Sequence, residues 1–103
     1  MVKIVWTELS VFELKEIYDY ISYDSKRYAK NQVERIKQKT SILKSMPEIG
    51  RIVPELDKIE IRELIEGNYR IIYRIKTTDL VEILTIHHTS RDIYTRDLKN
   101  YKA

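Results

Sequence analysis

Cysteine is absent from all 103 residues, which excludes disulfide scaffolds, thiolate metal sites and cysteine nucleophiles together. Glycine and proline occur only twice each. That is too little glycine for a phosphate-cradling loop and too little of either for a flexible linker. No Gly-x-Ser-x-Gly elbow is present. Apolar runs last only a few residues, far short of the ~18 that a membrane span needs. The opening residues 1–6 alternate and then turn polar, as a strand does and a secretory leader does not. The expectation is therefore a small soluble domain of the cytoplasm, one folding unit over residues 1–103. Neither sign of charge dominates, with 19 lysines and arginines against 16 acids and a net charge of +3. A share of 43 % apolar residues suffices for one modest core.

The charges are unevenly placed. Residues 7–24 carry five acids (Glu8, Glu13, Glu16, Asp19, Asp24) against Lys15, a local net of −4. Residues 25–46 carry seven bases (Lys26, Arg27, Lys30, Arg35, Lys37, Lys39, Lys44) against Glu34, a local net of +6.

Periodicity orders the elements. Residues 2–6 are β-branched and aromatic, predicting a first strand. Thr7 is placed to cap a helix with Glu8 in its first turn, where an acid suits the helix dipole. Val11, Leu14, Ile17, Tyr18 and Ile21 recur at helical spacing. Asp24 or Ser25 caps a second helix with the stripe Ala29, Val33, Ile36, Thr40 and Leu43, which Pro47 and Gly50 end. After Gly50 the period becomes two. Ile59, Ile61 and Ile65 alternate with polar neighbours up to the tight-turn pair Gly67-Asn68. Tyr69, Ile71, Tyr73 and Ile75 form the next strand, and residues 81–88, apolar on both faces, read as a central one. The order β-α-α-β-β-β is an α+β fold, a helical hairpin on a mostly antiparallel four-stranded sheet. The sheet face away from the hairpin is expected to display Arg62, Arg70, Arg74 and Lys76.

Candidate functional residues are few. His87 and His88 are strand neighbours pointing to opposite faces, so they do not share a metal ion, and no metal or cofactor is expected. His88, last before a loop, is the more open to a functional role. Glu13 and Glu16 read as solvated helix residues, as do the lysines Lys26, Lys30, Lys37 and Lys44. Arg62, Arg70, Arg74 and Arg91, near Tyr94, suit an anionic partner, either nucleic acid or an acidic peptide. Cross-strand pairing with Glu60, Glu63 and Glu82 is the competing reading. Val5, Trp6, Phe12 and Tyr20 exceed what one small core requires and suit interface anchoring.

Four segments carry a family resemblance: residues 46–55 (Met-Pro-Glu-Ile-Gly-Arg-Ile-Val-Pro-Glu), 61–64 (Ile-Arg-Glu-Leu), 69–73 (Tyr-Arg-Ile-Ile-Tyr) and 86–92 (Ile-His-His-Thr-Ser-Arg-Asp). In this order and spacing they resemble the RelE/ParE toxin superfamily, the plasmid-stabilisation type of type II toxin, over essentially the whole chain. The resemblance implies a toxin held inactive by a cognate antitoxin, the pair repressing its own operon, with operator DNA reached only through the antitoxin and no membrane role. It implies growth arrest by one of two routes. ParE-like members poison DNA gyrase and are not known to be nucleases. RelE-like members cut mRNA on the ribosome as metal-independent mRNA interferases.

For a RelE-like cutter the matching catalytic positions are Arg70, His88, Arg91 and Tyr94. For contact with nucleic acid or a target they are Arg51, Arg62, Arg70, Arg74 and Arg91. Antitoxin contact falls to Trp6, Phe12 and Tyr20. Glu60 and Glu63 stand where ribosomal cutters are lysine-rich, and the Pro47-x-x-Gly50-Arg51 and His88-x-x-Arg91-Asp92 segments are closer to the ParE-like branch. A partner-binding module derived from the family, without toxicity, is the third reading.

Overall fold

Capping and pairing begin at the first turn of the chain. The computed structural model describes residues 1–89. Strand β1 (Lys3–Trp6) leads directly into helix α1 (Glu8–Ser22). The Thr7 hydroxyl accepts the Ser10 N–H at 3.2 Å and donates to the Ile83 carbonyl at 2.8 Å, so one residue caps the helix and ties it to the sheet. Helix α2 (Lys26–Ser41) follows, with Ser25 as its cap, accepting from the Tyr28 N–H at 3.1 Å. It tightens into one 3-10 turn, Ile42–Lys44. Then come β2 (Arg51–Ile52), β3 (Ile61–Glu66), β4 (Tyr69–Thr77) and β5 (Leu80–His88).

The sheet has five strands in the order β1-β5-β4-β3-β2. The expectation of four is corrected by the two-residue β2, where Arg51 and Ile52 pair antiparallel with Glu63 and Arg62. So short an edge strand has no alternation for sequence to reveal. All pairings are antiparallel except β1 with β5, where Lys3 to Trp6 run alongside Leu80 to Ile83. β5 is thereby central, as its two apolar faces predict. Gly67 turns β3 into β4 at φ +58°, a conformation strained for a residue with a side chain.

Two apolar clusters sit on opposite faces of the sheet. The larger joins Ile17, Ile36 and Leu43 of the hairpin to Leu64, Ile71, Tyr73, Val81, Ile83 and Ile86. The smaller joins Ile61, Ile72 and Leu84 to Val53, with Leu56 packed against them. Residues 53–60 therefore fold over the face expected to be open. The Val53 N–H donates to the Ile61 carbonyl at 3.2 Å and the Ile75 N–H to the Glu60 carbonyl at 2.8 Å, holding that cover in place.

Two helix assignments shift by one position around the axis. Val11, expected in the stripe, is 54 % exposed, whereas Glu13 faces inward and is buried. Among the described residues no helix is long and apolar enough to cross a membrane.

Candidate functional site

The arginines of the sheet converge on carboxylates rather than on solvent. Arg70 keeps only 7 % of its exposure. Its Nε donates to Glu63 Oε1 at 2.6 Å, and its two terminal nitrogens take both oxygens of Glu55 at 2.9 and 3.1 Å. Fork-to-fork geometry of this kind is the strong form of an arginine–carboxylate contact. Glu63 itself is shared, since its second oxygen accepts from Arg51 Nε. Two cations and two anions thus close on one another. The Arg70 hydrogen bond holds the Glu55 carboxyl below the usual carboxylate range, outweighing desolvation. The same contacts push the Arg70 guanidinium higher still, so it is permanently charged.

Arg62 and Arg74 are engaged separately. Arg62 does not share a sheet face with Arg70, because it sits opposite Tyr73 and next to Leu64 on the side of the main core. The expectation that it lines the open face is corrected. Its guanidinium donates to the carbonyls of Glu48 at 3.1 Å, Gly50 at 3.0 Å and Ile59 at 3.1 Å, pinning two loops. Arg74 lies across from Glu82 in the ladder and donates to Glu82 Oε1 at 2.7 Å, with Lys76 3.9 Å from the other oxygen. Of the paired acids, Glu63 and Glu82 were legible as cross-strand neighbours. Glu55 was not, because a loop residue has no periodicity to betray its position.

The turn through residues 46–50 is fixed by Tyr73. Its hydroxyl donates to the Pro47 carbonyl at 2.7 Å and accepts the Gly50 N–H at 3.0 Å. Burial pushes the phenol above its usual value, so it stays a donor. A Cβ on Gly50 would lie 2.6 Å from both the Glu63 carbonyl oxygen and the Tyr73 hydroxyl, so the backbone approach requires glycine.

A second group gathers where α1 passes the end of β5. A cleft there is lined by Glu16, Tyr20, Tyr69, Ile86, His87 and His88. The His88 and Tyr69 rings meet edge to face with centroids 5.7 Å apart, while His87 is buried. Desolvation raises the Tyr69 hydroxyl above the ordinary phenol value. Glu13, expected in solvent, is buried beneath this cleft. One of its oxygens accepts the Thr85 hydroxyl and, at 3.0 Å, the Ile86 N–H. β1 stops pairing at Ile83, and Glu13 satisfies the strand edge that continues past it. The inward spacing Ser10, Glu13, Ile17 along α1 was the available signal.

The structure therefore separates residues that sequence grouped together. Arg70 with Arg51, Arg62, Arg74 and His88 occupy four distinct environments, and Arg91 and Tyr94 lie outside the described residues. Among the described residues no group of three or more histidines, acids or cysteines is placed to hold a metal ion. Of the residues expected to meet an antitoxin, Phe12 (58 %) and Tyr20 (77 %) are exposed. Trp6 is half-buried and packs against the main core.

The family described as "ParE toxin of type II toxin-antitoxin system, parDE" matches residues 4–93. A solved structure titled "Chromosomal ParDE TA system from P. aeruginosa" superposes with a TM-score of 0.70 at 23 % identity, over 85 % of this chain and 96 % of that one. At that identity the likeness is one of fold. No curated protein matches. With the match running from β1 through the end of β5, the chain belongs to the ParE toxin family of type II toxin–antitoxin systems.

Proposed function

We propose that this chain is the toxin of a type II pair, that a cognate antitoxin neutralises it, and that when free it arrests growth by acting on DNA gyrase and not by cutting mRNA. The observation that carries the second part is the enclosure of Arg70. An RNA cutter without metal needs cations aimed at the phosphate where negative charge develops. At the position matched to that role, Arg70 has its donors committed to Glu63 and Glu55. A phosphate entering there meets two carboxylates first. The antitoxin half of the proposal is supported by the family match and by the fold shared with a ParDE system, together with the exposed aromatics Phe12 and Tyr20 on α1.

Induction of the chain alone in a bacterium, with amino-acid and thymidine incorporation followed together, tests this. Thymidine incorporation falls first and a DNA-damage response appears; the purified chain inhibits supercoiling by gyrase. An early collapse of amino-acid incorporation, with mRNA cut on ribosomes, would reject the gyrase reading. Unimpaired growth and incorporation would reject toxicity itself.

A further inference from the structure

Of the cations that the resemblance singles out, Arg51, Arg70 and Arg74 are paired with carboxylates, whereas, among the described residues, the bases of the second helix are not. Lys26, Arg27, Lys30, Arg35, Lys37, Lys39 and Lys44 are all exposed. Unlike Arg51, Arg70 and Arg74, none of the seven has an ion-pair partner among the described residues. Glu34 is the single acid on α2. At ~100° per residue, Lys26, Lys30 and Lys37 fall within about 40° of one line along the helix. That line is about 16 Å long at ~1.5 Å per residue.

From this arrangement we infer that the exposed flank of α2 carrying Lys26, Lys30 and Lys37, beside the buried stripe of Ala29, Ile36 and Thr40, is a sequence-independent contact for the phosphate backbone of duplex DNA. The inference stands apart from the gyrase reading and assigns to the toxin itself a DNA contact that the resemblance leaves to the antitoxin.

Three features favour this occupant. Protein interfaces are anchored by buried apolar and aromatic side chains, and on α2 Tyr28 is the only large apolar residue exposed. The exposed aromatics Phe12, Tyr20 and Tyr23 lie instead on or beside α1, on the acidic half of the hairpin. Single-stranded nucleic acid is held by stacking on aromatic platforms, which one tyrosine does not provide. A straight row of exposed lysines, with Glu34 the one acid of the helix near it, suits the regular spacing of phosphates on duplex DNA, which carries one charge per ~1.7 Å of its axis with both strands counted. About nine such charges, on the two strands together, lie along a 16 Å length of duplex.

The test is an anisotropy titration of the purified full chain with short fluorescent duplexes of unrelated sequence, from about 50 mM salt upward. Binding is expected to be equal for all duplexes, with the logarithm of affinity falling by about 0.9 per phosphate contact for each decade of salt. The combined variant Lys26→Gln, Lys30→Gln, Lys37→Gln changes exposed residues only and keeps the parent's melting temperature. It is expected to lower the salt slope by about one per lysine removed and the affinity roughly ten-fold or more. Lys15→Gln on α1, a lysine paired with Asp19, leaves both unchanged. Absence of binding at low salt, or equal binding by the triple variant, overturns the inference. Tighter binding to polyglutamate reassigns the face to an acidic protein, and tighter binding to single-stranded RNA reassigns it to that ligand; either result overturns it.

Discussion

Arg70 on β4 and Glu63 on β3 are diagonal neighbours across the ladder, and their side chains meet at 2.6 Å beneath the surface. With Glu55 closing from the covering loop and Arg51 from β2, this pair joins three strands to the segment that covers them. Removing one member leaves its partner charged and buried, which typically costs about 3–5 kcal/mol. Arg70→Ala and Glu63→Ala are each expected to lower the denaturant midpoint accordingly. The double variant costs less than the sum, with a coupling of about 1–3 kcal/mol. Additive losses would show that the pair does not act as a unit. Any loss of growth arrest in Arg70→Ala therefore needs a melting curve beside it, because unfolding alone would produce it.

The same network makes an acid prediction. The folded-state value of Glu55 is depressed, so the folded protein binds fewer protons there than the unfolded chain. Its contribution to stability is present above the unfolded carboxylate value of ~4.3 and is lost as pH falls through the lower folded value. Denaturation series across that range should show a shallower acid loss in Glu55→Gln than in the parent. Parallel profiles would contradict the pairing with Arg70.

Glu13 is expected to be structural. Glu13→Ala leaves the Thr85 hydroxyl and the Ile86 N–H without this acceptor inside the protein, a loss of about 1–3 kcal/mol. Glu16→Ala, one turn away and exposed, stays within ~0.5 kcal/mol. Equal stability of the two variants, read by chemical denaturation, would show that Glu13 is not buried in solution.

Gly50 and Tyr73 define a third site. Gly50→Ala forces a methyl against backbone and phenol at 2.6 Å, with a strain of about 1–3 kcal/mol. Tyr73→Phe removes both hydrogen bonds to the turn, worth about 1–3 kcal/mol when buried. In the double variant the methyl no longer meets the hydroxyl, so its cost falls below the sum. Full additivity, measured by thermal unfolding, would show that the two residues do not touch.

Antitoxin binding separates the three aromatic candidates. Phe12→Ala and Tyr20→Ala alter exposed positions, so stability changes by less than ~0.5 kcal/mol, while affinity for the cognate antitoxin, measured by calorimetry, falls about ten-fold or more. Trp6→Ala is expected to destabilise the chain itself, because the indole packs on the core. Unchanged affinity in both exposed variants would move the antitoxin to another surface.

The sequence alone determined the order of elements other than the short β2, the capping residue Thr7, a cap for α2 at Asp24 or Ser25, the inward faces of α2 and β4, and the central place of β5. Each of these is written in spacing: a period near 3.6 for helices, two for strands, and a polar residue one step before a helix. Only the tertiary structure decided that β1 runs parallel to β5, that Arg62 lies on the other side of the sheet from Arg70, that Glu13 is buried and that Glu55 closes on Arg70. These depend on register and on partners as far apart as Glu13 and Thr85, or on a loop that returns over the sheet, and no local period records such distances. The sign of the site was decided in the same way. The sheet's arginines were legible either as a basic cluster or as partners of Glu60, Glu63 and Glu82, and the fold chose pairing for Arg70 by bringing Glu63 and Glu55 against it, whereas among the described residues the bases of α2 form no ion pair.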